Sequence, residues 1–424
     1  MRARPTDEPH RVSSPLELLF DLTFVVAIAA VTARLAHGIA DGHGPAGLLP
    51  FLQVFFAIWW AWMNFTWFAS SYDTDDVAYR LLTMVQMAGV LVLAAGVPAA
   101  ADDSDYRAVT LGYLIMRIGL VAQWLRAGAE DAPGRRTALR YAAGITVVQV
   151  GWVLRLLLSQ AGVLPPSALL PFFAGLAVLE LAVPRWAERA GATSWHPHHI
   201  AERYGLFTII LLGESVLAAT TGVEAALEAA ELSGSLVVIA VSGLVLLFAL
   251  WWLYFLAPAG EGLSDRRHRS YLWGYGHYGV FAALAALGAG LEVAVEQTGH
   301  SVGASPMTIC YAVAIPVGVF LTLLWVVPAS ILAEPVVRPA ALLGCVAVIL
   351  LLPFAAPWTG VAAVVAAIAA VCVLLIAVTL APGAGRGRGG PPPPPPPGGR
   401  GRPPPPPPPP RSGGPGRGRR NAGW

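Results

Sequence analysis

The sequence predicts an all-α fold, a polytopic membrane helix bundle of about twelve transmembrane helices. Composition is the first observation behind this prediction. Hydrophobic residues make up 56% of the 424 positions and charged residues only 12%, about half of the share that is usual in soluble domains. So few charged side chains could not cover the surface of a soluble protein of this size, and lipid must therefore cover much of it.

The second observation is the length of the apolar segments, because a bilayer core of about 30 Å needs about 20 apolar residues per helix. The first six candidate spans lie near residues 15–37, 46–70, 77–100, 106–127, 137–160 and 166–184. The second six lie near residues 201–221, 233–257, 270–295, 306–328, 338–354 and 359–381. Glu17, Asp21 and Arg34 interrupt the first apolar segment, which predicts a retained helix and not a cleaved signal peptide.

The distribution of arginines tests this count independently, because cytoplasmic loops are enriched in basic residues. If the N-terminus is cytoplasmic, 23 of the 27 arginines fall in cytoplasmic segments, and Arg107 is the one arginine of the outside loops. Arg34, Arg117 and Arg155 lie within helices. The predicted topology therefore has twelve spans with both termini in the cytoplasm.

The two sets of six helices also resemble each other. The matching residues are Glu17 and Thr23 with Glu202 and Thr208, Trp59 and Trp60 with Trp251 and Trp252, and Gly89 and Val90 with Gly279 and Val280. Six helices separate the equivalent positions, so the two halves would share one orientation in the membrane. The pattern predicts a parallel 6+6 internal repeat. Chance similarity among apolar helices is the alternative.

This organisation divides the chain into five parts. Residues 1–14 form a cytoplasmic N-terminal segment, 15–184 the first six-helix half, 185–200 a cytoplasmic linker and 201–381 the second half. Residues 382–424 contain Gly-Arg runs and two polyproline tracts, a composition that predicts a disordered tail. The tail could contact anionic lipid, RNA or an unknown protein, but a tolerated extension without a partner is the preferred interpretation, and no nucleic acid is expected as a partner.

Three motifs resemble those of the bacterial low temperature requirement protein A (LtrA) family. They are SPLELLFDLTFV (Ser14 to Val25), WWAWMNFTWFASSYDTDD (Trp59 to Asp76) and HHIAERYGLFTIILLGES (His198 to Ser215). The resemblance covers roughly residues 12–381 and implies a multi-pass protein of the bacterial cytoplasmic membrane, linked by name to growth in the cold. It implies no established substrate, cofactor or catalytic residue, and we predict no cofactor.

Ionisable residues within the spans are the first functional candidates, because each costs about 2.5–3.5 kcal/mol at a helix centre. Glu17 has a structural alternative, since Ser14, Pro15 and Glu17 fit a capping box. Asp21 lies one turn deeper on the same helix face and has no capping role. The two acids could share a proton or hold a cation. An ion pair with a neighbouring helix is the alternative for Asp21.

Arg117 and Glu214 lie too deep in the fourth and seventh spans to reach water easily. We expect both side chains to face the bundle interior, where they could form a pair. Such a pair could serve a substrate or proton pathway, or it could be structural. Arg155 lies closer to the outer surface, where its side chain could extend to water.

A histidine cluster precedes and opens the seventh span. His196, His198, His199 and Glu202 are expected on the cytoplasmic side, with His198 and Glu202 on one helix face. Zinc accepts such ligands, but a complete site needs three or four of them in the right geometry. An interfacial helix entry is the preferred interpretation.

Asp73, Asp75 and Asp76 precede the third span. Negative charge at this position suits the helix dipole, and Asp76 could pair with Arg80 at i+4. Binding of a hydrated cation is the alternative.

His277 lies near the expected cytoplasmic entrance of the ninth span. Histidine can relay protons at neutral pH. A hydrogen-bonded packing residue is the alternative interpretation.

The motif search gives little support for an enzyme. The sequence contains no GxSxG, HExxH or Walker motif, and its GxGxxG match, Gly274 to Gly279, lies within a predicted membrane helix and follows no strand. The three cysteines lie singly in apolar stretches, which predicts neither a disulfide framework nor a zinc site. No catalytic residue is predicted.

The sequence thus favours a transporter-like protein, coupled to protons or another cation, with a polar cavity between two six-helix halves. Asp21, Arg117 and Glu214 are the first candidates for the pathway, and Glu17, Glu202 and His277 are the second. The partners would be the lipid bilayer and a small molecule or ion. A non-transporting membrane factor for growth or signalling in the cold is the main alternative, and it predicts that the buried charges pair locally. A membrane-embedded enzyme is a third.

Overall fold

The computed structural model describes residues 1, 3–5, 8, 11–228 and 233–381. Its regular elements over these ranges are helices, and no strand occurs among them. The all-α prediction is therefore confirmed for the described part of the chain. The predicted tail, residues 382–424, lies outside it.

The α-helices follow one another with short connections. Their bounds are α1 Pro15–Ala40, α2 Gly44–Tyr72, α3 Val77–Asp102, α4 Arg107–Glu130, α5 Arg135–Gln160, α6 Pro166–Ala187, α7 Pro197–Glu228, α8 Gly234–Phe255, α9 Ala259–Asp265, α10 Ser270–Glu296, α11 Pro306–Ala329, α12 Pro339–Leu351 and α13 Ala356–Leu380. A short 3₁₀ turn joins α12 to α13.

Ten helical segments in the described ranges are long and apolar enough to cross a membrane. Helix α7 is not among the ten, and α12 and α13 together count as one segment, Pro339–Leu380. The prediction of a helical membrane protein is thus supported. The count of twelve crossings is not confirmed.

Helices α2 and α10 form the centre of the bundle. Of their most apolar stretches, 61% and 78% are buried against protein, compared with 11% for the peripheral helix α6. Trp59, Trp60 and Trp62 of α2 and Trp273 of α10 are among the largest fully buried side chains. Large apolar residues are exposed along the outer helices, for example Val147 and Val150 of α5, and suit contact with lipid.

The predicted capping box at the start of α1 is confirmed. The Ser14 hydroxyl accepts a hydrogen bond from the backbone N–H of Glu17, and the Ser14 backbone N–H donates to Glu17 Oε2 at 2.8 Å. Both donors would otherwise lack a partner at the helix start. This reciprocal bond fixes where α1 begins and therefore how deep its acidic residues lie.

Helices α3 and α4 approach each other closely through glycines. A Cβ atom added at Gly89 would lie 2.7 Å from the Gly112 carbonyl oxygen, and one added at Gly96 would lie 2.8 Å from the backbone N of Val109. Small residues allow such backbone contact between membrane helices. The absence of a side chain at these glycines permits the short distance between the α3 and α4 backbones.

The internal repeat is not confirmed, since its matched residues give different results. Gly89 lies against the backbone of α4, whereas Gly279 of α10 lies against the Leu323 side chain of the next helix, α11. The tryptophan pairs differ, because Trp59 and Trp60 are fully buried whereas Trp251 and Trp252 are 43% and 48% exposed. The 6+6 repeat therefore remains a prediction.

We predict that Gly89→Ala destabilises the protein by about 1–3 kcal/mol, because the added methyl group meets backbone and cannot be accommodated by a side-chain rotation. Thermal unfolding in detergent measures the effect. Gly175→Ala on α6 is the matched control, since a Cβ atom there meets nothing within 4 Å. Equal stability of the two variants would contradict the predicted role of the α3–α4 contact.

Asp76 caps the N-terminus of α3. Its carboxylate accepts from the Tyr79 backbone N–H at 3.0 Å and from two nitrogens of Arg126 at 2.7 and 2.6 Å. These bonds from Arg126 and Tyr79 hold the pKa of Asp76 well below its usual range. We expect Asp76→Ala to cost about 0.5–2 kcal/mol, and Asp76→Asn less because asparagine still caps.

The pH dependence follows from the direction of this shift. A carboxyl group with a lowered pKa stabilises the folded state above the unfolded value of about 4 and loses this effect as the pH falls toward the folded value. The stability difference between wild type and Asp76→Asn should therefore stay constant near neutrality and shrink in acid. A difference that grew below pH ~4 would contradict the assignment.

Candidate functional site

Two acidic residues of α1 lie in the interior of the bundle. Glu17 and Asp21 are each 1% exposed, although both are carboxylates within a membrane-length helix. They are four residues apart and share one helix face. Buried charges of this kind require a compensating partner.

The partner is Arg203 of α7, which is fully buried. Its Nη1 lies 2.9 Å from Glu17 Oε1, and its Nη2 lies 2.5 Å from Asp21 Oδ1. One guanidinium group thus contacts both carboxylates, as a hydrogen bond to Asp21 and as an ion pair without hydrogen-bond geometry to Glu17. The bridge joins the first helix of the chain to the seventh.

Two further side chains complete this arrangement. Trp62 of α2 donates its indole N–H to Asp21 Oδ1 at 2.7 Å. His199 of α7, one turn before Arg203, places Nε2 3.1 Å from Glu17 Oε1. We name Glu17, Asp21, His199 and Arg203 the α1–α7 charge cluster.

The charge of this cluster depends on one proton. Two carboxylates face one guanidinium group, so the cluster is neutral only if His199 or one carboxyl group carries a proton. The next charged or titratable groups are Arg4, Arg11, Asp73 and Tyr79, and both arginines interact electrostatically with Glu17. The Arg11 guanidinium group donates to the carbonyl oxygens of Ala69 and Ser70 and not to a carboxylate.

The three motifs that carry the family resemblance meet at this cluster. The first motif supplies Glu17 and Asp21, the second supplies Trp62, and the third supplies His199 and Arg203. The sequence analysis missed Arg203, because it counted this residue among the arginines of the cytoplasmic face. Its position in the third motif, four residues after His199, is the signal that could have identified it.

Arg117 and Glu180 of α6 pair with each other and form a second buried charge cluster. Their closest atoms are 3.5 Å apart and both side chains are 1% exposed. Glu180 also accepts hydrogen bonds from Trp60 at 2.8 Å, Tyr113 at 2.7 Å and Trp152 at 3.2 Å. The Arg117 guanidinium group donates to the Tyr113 hydroxyl group. The sequence analysis missed Glu180 as well.

The suggested pairing of Arg117 with Glu214 is therefore wrong. Glu214 is half-buried on α7, and its Oε2 has no hydrogen-bond partner among the described residues. Asp21, Arg117 and Glu214 lie in three separate environments. A cavity of about 400 Å³ lies between the ends of α1, α2 and α3, but its lining includes Arg34, Asp41 and Asp102 and none of these three candidates.

The remaining pathway candidates, Glu202 and His277, have hydrogen-bond partners of their own. Glu202 is half-buried and accepts a hydrogen bond from the Ser13 backbone N–H at 3.3 Å. His277 is 3% exposed. Its ring nitrogens lie 2.7 Å from the Trp273 carbonyl oxygen and 3.2 Å from the Tyr254 hydroxyl group. This geometry is typical of a hydrogen-bonded packing residue.

The histidine cluster separates in the structure. His199 joins the charge cluster, His196 Nδ1 accepts from the His199 backbone N–H, and His198 is exposed. Within the described ranges, no group of three or more His, Cys, Asp or Glu side chains is arranged to hold a metal ion.

The aspartates before α3 also differ from expectation. Arg80 pairs with Asp75 at 2.7 Å and not with Asp76, whose partner is Arg126. Asp75 has a φ of 48°, a left-handed conformation that aspartate tolerates better than most residues. The turn at this residue brings its carboxylate, and not that of Asp76, to Arg80. Asp73 pairs with Arg4 at 3.6 Å.

We predict that Arg117→Gln costs about 3–5 kcal/mol, because Glu180 would remain buried without its cation. Adding Glu180→Gln removes this uncompensated charge and keeps one oxygen acceptor for the three donors. The double variant should therefore be more stable than Arg117→Gln in thermal unfolding in detergent. A double variant that is less stable than the single one would argue against the pairing.

Comparison with known proteins agrees with the motifs. The chain is 27% identical over 300 residues to an uncharacterized protein, RA0937, of Rhizobium meliloti (strain 1021). The aligned region covers 67% of this chain and 69% of that relative. The family model of the bacterial low temperature requirement A protein matches residues 12–379. Since this match spans most of the chain, including every residue of both charge clusters, the protein belongs to the LtrA family.

Proposed function

We propose that this protein is a proton-coupled secondary transporter and that the α1–α7 charge cluster is its coupling site. The observation that carries the proposal is the bridge from Arg203 to both Glu17 and Asp21. In full burial, two carboxylates and one guanidinium group leave one negative charge without a directly bonded cation, since the nearby Arg11 bonds to carbonyl oxygens. Because an uncompensated charge is costly in a low-dielectric interior, the cluster should retain one proton.

The position of the cluster supports coupling to a conformational change. Glu17 and Asp21 belong to the first predicted half, and His199 and Arg203 belong to the boundary and start of the second. We infer twelve spans in the cytoplasmic membrane, both termini inside and two parallel six-helix halves. Rocking of the halves would then act directly on these contacts, as alternating access requires.

Protonation would alter the strength of the bridge. A neutral Asp21 carboxyl group loses its charge-assisted bond to Arg203, and such bonds contribute about 1.5–3 kcal/mol. Proton binding would thereby weaken the connection between α1 and α7, and proton release would strengthen it.

A second candidate function is a non-transporting membrane factor that supports growth or signalling in the cold. The observation that favours it is the local pairing of Arg117 with Glu180, together with the separation of Asp21, Arg117 and Glu214. In this case both charge clusters would hold helices together without moving.

Reconstitution into proteoliposomes tests the proposal. Uptake of a panel of labelled solutes is measured with and without an imposed pH gradient. We predict that Asp21→Asn lowers gradient-driven uptake about tenfold or more, because loss of one charge-assisted bond is worth about that factor. Asp102→Asn is the matched control, since Asp102 pairs with Arg34 at 2.9 Å and its side chain is 53% exposed.

The outcomes separate the two candidates. Uptake that Asp21→Asn leaves unchanged would remove Asp21 from the mechanism. Uptake that does not respond to the gradient in the wild type would favour the non-transporting factor. Infrared difference spectra between acidic and neutral pH provide a readout without a substrate, in which a protonated carboxyl band should disappear in Asp21→Asn.

A further inference from the structure

Arg155 of α5 is a buried cation without a carboxylate partner among the described residues. It is 9% exposed, and its Nε and Nη2 both donate to the Leu169 carbonyl oxygen at 3.3 Å. The other deeply buried arginines of the described residues have stronger partners. Arg203 and Arg117 pair with acidic side chains, and Arg11 donates to two carbonyl oxygens. A charge within a membrane helix that lacks such compensation marks a functional position.

Arg155 lines a cavity between α2, α4, α5 and α6. We name it the Arg155 cavity, and its walls include Gln53, Tyr106, Tyr113, Trp152 and Phe173. Its volume is about 40 Å³ and it is partly open. Since one water molecule needs about 10–15 Å³ by this measure, the enclosed part holds a group of only a few atoms.

Aromatic rings fix the guanidinium group at the cavity wall. Its Cζ atom lies 5.9 Å from the ring centroids of both Tyr106 and Phe173, within the range of cation–π contact. The Tyr106 hydroxyl group donates to Gln53 Oε1 at 2.9 Å, which leaves the Gln53 amide N–H groups as further donors on the wall. The enclosed space therefore combines a fixed cation, a neutral donor and apolar surfaces.

The negative charge of Glu180 does not cancel the positive charge that Arg155 places on the cavity wall. Tyr113 and Trp152 line the cavity, but both donate their polar hydrogens to Glu180, which already pairs with Arg117. These two residues thus present ring faces and edges to the cavity. Arg155 remains the one strong charge on its wall within the described residues.

We propose that the Arg155 cavity binds the carboxylate group of a small organic acid. The guanidinium group and the Gln53 amide would bind the carboxylate oxygens, and the apolar body of the acid would pack on Tyr106, Trp152 and Phe173 toward the open part of the cavity. Such an acid can come from water, as an aromatic acid does, or from the bilayer, as a fatty acid does. The site does not depend on transport.

The test uses the full chain in phosphatidylcholine nanodiscs, with benzoate as the water-soluble probe and decanoate as the bilayer-borne one. Saturation-transfer NMR measures benzoate binding, and the displacement of benzoate by decanoate measures decanoate binding. We expect Arg155→Gln to weaken benzoate binding about tenfold or more and Arg155→Lys to weaken it less, because lysine keeps the charge but not the fork. Benzyl alcohol, which has no charge, should bind at least about tenfold more weakly than benzoate.

The matched control is Arg140→Gln on the same helix. Arg140 also lies over an aromatic ring, 5.6 Å from the centroid of Trp186, but it does not line this cavity, and its variant should bind benzoate like the wild type. If Arg155→Gln does not fold, the affinities of the wild type and of Arg155→Lys for benzoate and benzyl alcohol test the site instead.

Three results would overturn the site. They are benzoate binding that is unchanged in Arg155→Gln, equal affinity of the wild type for benzoate and benzyl alcohol, and no binding of benzoate or of decanoate. Tighter binding of decanoate than benzoate, lost in Arg155→Gln, would support the site and identify the bilayer as the source of its ligand.

Discussion

The bridge from Arg203 to Glu17 and Asp21 is the interaction on which the rest of the bundle depends. It places three charges in a region where each alone would be costly, and it is tolerated because the groups compensate one another at hydrogen-bond distance. Glu17 can take part only because the Ser14 capping box fixes the start of α1. Local capping and long-range ion pairing are therefore two functions of one side chain.

Helix α2 connects this bridge to the second buried pair. Its Trp62 donates to Asp21, and its Trp60, two residues away on a different face, donates to Glu180. The tryptophans supply both the apolar bulk of the central helix and one polar hydrogen to each charge cluster. The tryptophan-rich motif of α2 therefore suits the centre of a bundle that buries two ion pairs, since each pair includes an acid that accepts a tryptophan N–H.

The surroundings of the two clusters favour different roles. The α1–α7 charge cluster joins helices that are far apart in sequence, and its neutrality depends on a proton. The Arg117–Glu180 pair joins α4 to α6 within the first predicted half and borders the Arg155 cavity through Tyr113 and Trp152. If both proposals hold, a structural pair beside the proposed ligand cavity and a proposed coupling cluster between the predicted halves would divide binding and coupling between two places.

The sequence by itself determined the helical membrane class, the start of α1, the family and the buried positions of Glu17, Asp21 and Arg117. Each follows from local information, namely the length of apolar segments, the spacing in the capping box and the cost of charge in lipid. Only the tertiary structure decided the partners, Arg203 for α1 and Glu180 for Arg117, and it corrected those of Arg80 and Asp76. The physical reason is that ion pairs between helices depend on helix rotation and packing, which bring together side chains as far apart as Asp21 and Arg203, 182 positions from each other in the chain.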